Sequence, residues 1–217
     1  MALTLYAHPF SSYCQKVLIA LYENGTPFSF RMLDSEEAMT ELAALWPIRR
    51  FPVLVDADKT VMEASIIIEH LGLNHPGPVA LLPSDPKRAL AVRAMDRFFD
   101  NYVMTPQQKI VFDALRSPEN RDAQGVADAR NMLDTAYLWL DGVMASREWA
   151  AGDTFSMADC AAAPALFYAD WTHPIEPPFR NVQAYRRRLL KRASFARAVE
   201  EARPYRHLFP LGAPDRD

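Results

Sequence analysis

Glycine is scarce in this chain, with 7 in 217 residues, and cysteine scarcer still, with two. Few glycines beside many alanines and leucines favour helix over a loop-rich fold. Two distant thiols, Cys14 and Cys160, exclude a small secreted scaffold stapled by several disulfides. Reduced thiols in a cytoplasmic protein are the simpler expectation. No window approaches the 18 or so uninterrupted apolar residues that a membrane-spanning helix needs. The opening MALTLYAHPF has no basic segment ahead of an apolar run, so no secretory leader is expected. Charge of one sign is lacking too. Twenty-four Lys and Arg against 27 Asp and Glu leave a net charge of −3. That gives no general pull toward nucleic acid or anionic lipid. No internal repeat or low-complexity tract occurs. Half the residues are apolar and 24% are charged, and the length suffices for one large domain or two small ones with real cores.

Two halves of different character follow. Residues 2–6, ALTLY, read as a strand. Apolar spacing predicts a helix from Ser12 to Glu23, stopped by Asn24-Gly25 and Pro27. FSFRML, 28–33, alternates as a second strand. Asp34 with Glu37 has the capping-box pattern for a helix to about Leu45, before Pro47. Val53–Val55 and Thr60–Met62 are β-type runs joined by a DADK turn, which makes a hairpin. SIIIEHLGL is a third helix, closed by Gly72. The order is β-α-β-α-β-β-α. NHPGPVALLPSDP is a proline-rich connector. Beyond it the sequence is helical throughout. One long helix is capped by Asp85, opened by Pro86 and expected to run to about Leu115. Others are expected over 120–147, over DTFSMADCAAAPALFYA, and over 179–192 and 194–203. The expected division is a domain over 1–75, a linker over 76–86 and an all-helical domain over 87–217.

The stretch YAHPFSSYCQKVLIAL, 6–21, concentrates the candidate chemistry. A helix N-terminus exposes unpaired N–H groups and the positive end of a dipole, which together favour a thiolate. Ser11 and Ser12 stand at that mouth and Tyr6 precedes it. Ser11 has two readings, as a helix cap and as a hydroxyl donor to a bound sulfur. SSYC has the spacing of a C-x-x-C motif with its first cysteine replaced. Dithiol exchange needs an exposed attacking thiolate, so Cys14 reads as a small buried hydrophobe. Ser156 and Asp159 form another capping box, and Pro164 is expected to kink the helix that follows. RRRLLKR, 186–192, reads as a solvated basic helix face. His8 is expected at the surface. No Cys/His cluster has metal-ligand spacing, so no metal is expected.

Four segments in order carry a resemblance: LY followed by HPFSSYCQKV, RRFPVL, MEASIII and GDTFSMADCAAAPAL. Together they resemble the cytosolic glutathione transferases over nearly the whole chain, with the last segment the most specific. The fold this implies is α/β plus all-α, a thioredoxin-like βαβαββα domain followed by an all-helical one. The resemblance implies a bacterial-type, serine-class glutathione transferase, with an S-S start similar to the zeta class. Ser11 would then stabilise the glutathione thiolate, with Ser12 a second donor and Tyr6 its rival. Pro52 matches a cis-proline, and Phe51 before it would pair through its backbone with the cysteinyl amide. Arg50 would reach the glycyl carboxylate, beside Arg49. Glu63 would meet the γ-glutamyl ammonium, and the backbone of Ala64 and Ser65 the γ-glutamyl carboxylate. Ala64 replaces the serine usual there, which removes a bond to a charged group of about 1.5–3 kcal/mol. Phe10, Tyr102, Met104, Phe112 and Trp171 are candidates for an apolar pocket for the electrophile. The implied reading is a detoxifying, cytoplasmic, homodimeric transferase that binds glutathione and a small electrophile, with no nucleic-acid or membrane partner. The alternatives are a non-catalytic binding or regulatory protein and a glutathione-dependent isomerase.

Overall fold

The computed structural model describes residues 3–217, so Ala2 of the first expected strand lies outside the described residues. The first domain is built on four strands: β1 (Leu3–Ala7), β2 (Phe28–Met32), β3 (Val53–Asp56) and β4 (Lys59–Met62). Their order in the sheet is β2-β1-β3-β4. β1 and β2 are parallel, while β3 runs antiparallel to β1 and to β4. Strand side chains alternate between the two faces, and the sequence uses both. Leu3, Leu5, Ala7 and Leu54 belong to the main core with α1 (Ser12–Glu23) and α3 (Ala64–Asn74). Val53, with Tyr6 and Met62 beside it, packs in a second cluster against α2 (Glu36–Leu45). This is a thioredoxin-like domain.

The cap of α2 is Ser35, one residue past the expected Asp34; its Oγ accepts the Ala38 N–H at 3.2 Å. The α1 helix ends as its sequence indicates, with Gly25 in the left-handed region at φ +57°, a conformation glycine adopts without a Cβ penalty. Gly72 does not close α3, which continues for two residues to Asn74.

The second domain is all-helical: α4 (Pro86–Phe98), α5 (Thr105–Ala114), α6 (Ala123–Met144), α7 (Met157–Thr172), α8 (Arg180–Leu190) and α9 (Ala193–Ala202). Asp85 caps α4, accepting the Arg88 N–H at 2.8 Å. The single long helix expected to Leu115 is two helices joined by a π-helical turn over Phe99–Met104. The α7 helix is buried from Met157 through Trp171 and runs through Pro164. Asp159 fixes its start: Oδ2 accepts from the Ser156 N–H at 2.9 Å and the Ser156 hydroxyl at 3.0 Å, and Oδ1 from the Ala150 N–H and the Tyr185 hydroxyl. Small alanines let α1 lie close against α7, so α1 is covered by the sheet on one side and by the helical domain on the other.

The basic run 186–192 is less solvated than expected. Arg186 is buried against Asp170, and Arg192 makes a two-pronged bond to Glu23 of α1. These charges serve packing. Among the described residues no helix is long and apolar enough to cross a membrane.

Candidate active site

The β1–α1 loop is knit by its own polar atoms. The Ser11 N–H donates to the His8 carbonyl at 3.0 Å, and the Phe10 N–H donates to His8 Nδ1 at 3.2 Å. His8 is therefore half-buried, edge-on to Tyr205, and burial holds its pKa below the ordinary value. Gln15, fully buried, donates to the Pro9 carbonyl and to the Tyr168 hydroxyl, and Tyr168 donates to the Phe10 carbonyl. Helix α7 of the second domain thus fixes the loop that carries Ser11.

Ser11 is the N-cap of α1. Its Oγ accepts the Cys14 N–H at 3.5 Å, a long bond. A hydroxyl that accepts in this way still has a proton to donate. Ser11 faces an open cleft of about 630 Å³ between the domains. Phe51, Pro52, Glu63 and Ala64 line the same cleft, and the Phe51–Pro52 bond is cis. Arg49 and Arg50 line it as well, with Arg49 at φ +57°. Glu63 precedes α3 at φ +70° and makes no side-chain cap. The first N–H groups of α3 are therefore not served by a capping side chain, and such a terminus suits a carboxylate.

The other expected positions separate. Ser12, Phe10 and Phe112 line the cleft. Ser65 does not; its hydroxyl points beneath the floor, where it donates to Asp96 at 2.7 Å and accepts from Lys16 at 2.8 Å. Three of the apolar candidates are corrected. Tyr102 is half exposed and packs on Phe98, Met104 is in the core, and Trp171 is buried among Phe10, Phe167, Tyr168 and Phe209. All three have helical spacing, but their faces point away from the cleft. Tyr6 lies on the α2 side, and burial, together with the neighbouring Glu41 carboxylate, raises its pKa. Cys14 is fully buried, and burial pushes its thiol up to about 12.

Sequence reading missed Tyr13, Arg97, Asp100, Gln107 and Val111, all in the cleft wall. Tyr13 is half-buried, and burial raises its pKa to about 12, so it is a neutral phenol. Arg97 Nη2 bonds to Asp96 at 2.7 Å and to Asp100 at 2.5 Å, bridging the cleft and the polar cluster beneath it. Burial raises the Asp100 carboxyl against the pull of Lys16.

A second cluster lies outside the cleft. Asp56, His70 and His75 bring three ligand-type atoms within 4.8 Å of one another, a convergence that linear spacing does not reveal.

Residues 5–79 match the family model "Glutathione S-transferase, N-terminal domain", and 103–193 match "Glutathione S-transferase, C-terminal domain". A FtsZ-localized protein A from Caulobacter vibrioides is 30% identical over 191 residues, covering 83% of this chain and 82% of that protein. A stringent starvation protein A homolog from Coxiella burnetii is 25% identical over 202 residues, covering 92% of each. Among solved structures, a glutathione S-transferase from Methylobacterium radiotolerans in complex with glutathione sulfonate superposes with a TM-score of 0.79 at 30% identity, over 92% of this chain and 95% of that one. The chain belongs to the glutathione S-transferase family.

Proposed function

We propose that this chain binds glutathione in the interdomain cleft and uses Ser11 to hold its sulfur as a thiolate for attack on a small apolar electrophile. The observation that carries this reading is the placement of Ser11. It stands at the positive end of α1, in one cleft with the cis Phe51–Pro52 bond and the uncapped start of α3. The helix end and the serine hydroxyl both favour the ionised sulfur, and the thiolate is the nucleophile. Arg50 takes the glycyl carboxylate and the Phe51 backbone pairs with the cysteinyl amide. Glu63 meets the γ-glutamyl ammonium, while the γ-glutamyl carboxylate sits on the Ala64 and Ser65 backbone N–H groups, the Ser65 side chain being turned away from the cleft to Lys16 and Asp96. Phe10, Val111, Phe112 and Leu115 give the electrophile an apolar wall. The same site would serve an isomerase with glutathione as cofactor. A detoxifying role in the cytoplasm and a homodimer belong to this reading, and sedimentation of the pure protein tests the dimer.

One observation favours a second reading. Ala64 offers no hydroxyl where the family usually places a serine, and two similar proteins have names that denote no transferase. A non-catalytic, regulatory protein fits both. Calorimetric titration with glutathione separates the two. Saturable binding at micromolar to low millimolar strength supports the catalytic reading. No heat in buffers of different ionisation enthalpy, with no thermal shift at several millimolar, supports the other.

A further inference from the structure

We propose that Asp56, His70 and His75 form a binding site for one divalent transition-metal ion of the Zn2+ class, outside the glutathione cleft. The three residues come from separate places in the first domain. Asp56 ends β3, His70 lies on α3, and His75 is the residue that terminates α3. Both imidazole Nε2 atoms converge on one oxygen, Asp56 Oδ2, at 2.8 Å from His70 and 2.7 Å from His75. A single histidine on a carboxylate is an ordinary ion pair. Two on the same oxygen define a three-cornered pocket whose edges are all potential ligand atoms.

The side chains are held in place. They are only 17%, 12% and 31% exposed for Asp56, His70 and His75. The His75 N–H closes the last turn of α3 on the Leu71 carbonyl at 2.8 Å. Asn74 contacts His70 Nδ1 at 3.2 Å and the His70 carbonyl at 2.9 Å.

The chemistry selects the ion. Two imidazole nitrogens and one carboxylate oxygen suit Zn2+, Ni2+ or Cu2+ better than the oxygen-seeking Mg2+ and Ca2+. Zinc takes such ligands at about 2.0–2.2 Å in tetrahedral array. The ligand atoms would then stand roughly 3.3 Å apart, so the present contacts need to open by about half an ångström. The protons now donated from Nε2 to Asp56 must leave those nitrogens, because only an unprotonated nitrogen ligates. The His70 proton then sits on Nδ1, and the exposed Asn74 amide turns to receive it. Water completes the fourth position. A bound ion would tie the far ends of β3 and α3 together. The near ends of the same two elements carry Pro52 and Ala64.

The test uses tag-free, chelator-stripped protein and ZnCl2 in calorimetric titration, with Co2+ absorption as a second probe. One equivalent per chain is expected, with a Tm rise on the order of 5 °C at about 100 times Kd. His70→Ala, His75→Gln and Asp56→Asn should each weaken binding by more than the ~10–100-fold that loss of a supporting contact costs. His173→Ala should leave it unchanged. Chelator-treated variants with wild-type circular dichroism establish that the loss is not unfolding. The absence of saturable binding would overturn the proposal, as would stoichiometric binding that survives the combined loss of His70 and His75.

Discussion

The Lys16 ammonium lies 2.7 Å from the Asp96 carboxylate, and both side chains are 1% exposed. Lys16 belongs to α1 and Asp96 to α4, so this ion pair joins the two domains. Ser65, Arg97 and Asp100 close the cluster around it. A buried pair contributes little net stability, but removing one partner leaves an uncompensated charge. Lys16→Met should therefore cost about 3–5 kcal/mol. Urea unfolding would check this, with a loss below about 1 kcal/mol counting against the cluster's place in the fold.

Ser11→Ala should leave folding nearly intact, because the cap bond it removes is already long at 3.5 Å. Glutathione-dependent turnover should fall at least tenfold, about 1.4 kcal/mol in the barrier. The pH profile gives the sign. If Ser11 holds the sulfur as proposed, the thiol of bound glutathione should titrate below the ordinary thiol value of about 8.5. In the variant the rising limb should move to higher pH. An equal loss in Tyr6→Phe with none in Ser11→Ala would place the donor elsewhere.

Ala64→Ser should tighten glutathione binding. Ala64 lines the cleft at the uncapped start of α3, and a hydroxyl there adds a bond to a carboxylate of about 1.5–3 kcal/mol. That corresponds to roughly a ten- to hundredfold fall in Kd. Calorimetry on the two proteins measures it, and an unchanged Kd would mean the carboxylate does not reach this helix end.

Both cysteines should be silent in the folded protein. Cys14 and Cys160 are fully buried; burial holds the first at about 12 and the second well above its ordinary value. Neither is a thiolate at neutral pH, and thiolate is the reactive form. Ellman's reagent at pH 8 should report no thiol in the native chain and two in denaturant. One fast native thiol would contradict this burial.

Much of the fold could be read from local pattern. The cap and stop signals bracket α1 at Ser12 and Glu23, and the hairpin, the Asp85 cap and the Ser156–Asp159 start of α7 are each written in a few adjacent residues. The break in the rod at Phe99 is signalled only by Pro106, the second residue of α5, which has no N–H to continue an α-helical ladder; apolar periodicity masks it. The cleft divides in the same way. Ser11, Phe51, Pro52 and Glu63 come from short motifs on loops and helix ends. Tyr102, Met104 and Trp171 could not be placed, because spacing shows that a helix has an apolar face and not what that face meets. Arg97 and Asp100 look like a solvated i, i+3 pair until α1 brings Lys16 against Asp100. Asp56 is 14 residues from His70 and 19 from His75, and only the sheet and α3 close that distance.

The π-helical turn over Phe99–Met104 sets the phase of everything after it. Upstream of the turn Arg97 faces the cleft, and downstream Gln107, Val111 and Phe112 do so, while Met104 and Ile110 face inward. An α-helix advances about 100° per residue. Deleting one residue within the turn would rotate α5 by about that angle, carrying its cleft-lining residues toward the core and its core residues toward solvent without changing any of them. The length of this turn therefore shapes the cleft wall as strongly as its side chains do, and an insertion or deletion there could redraw that wall in one step.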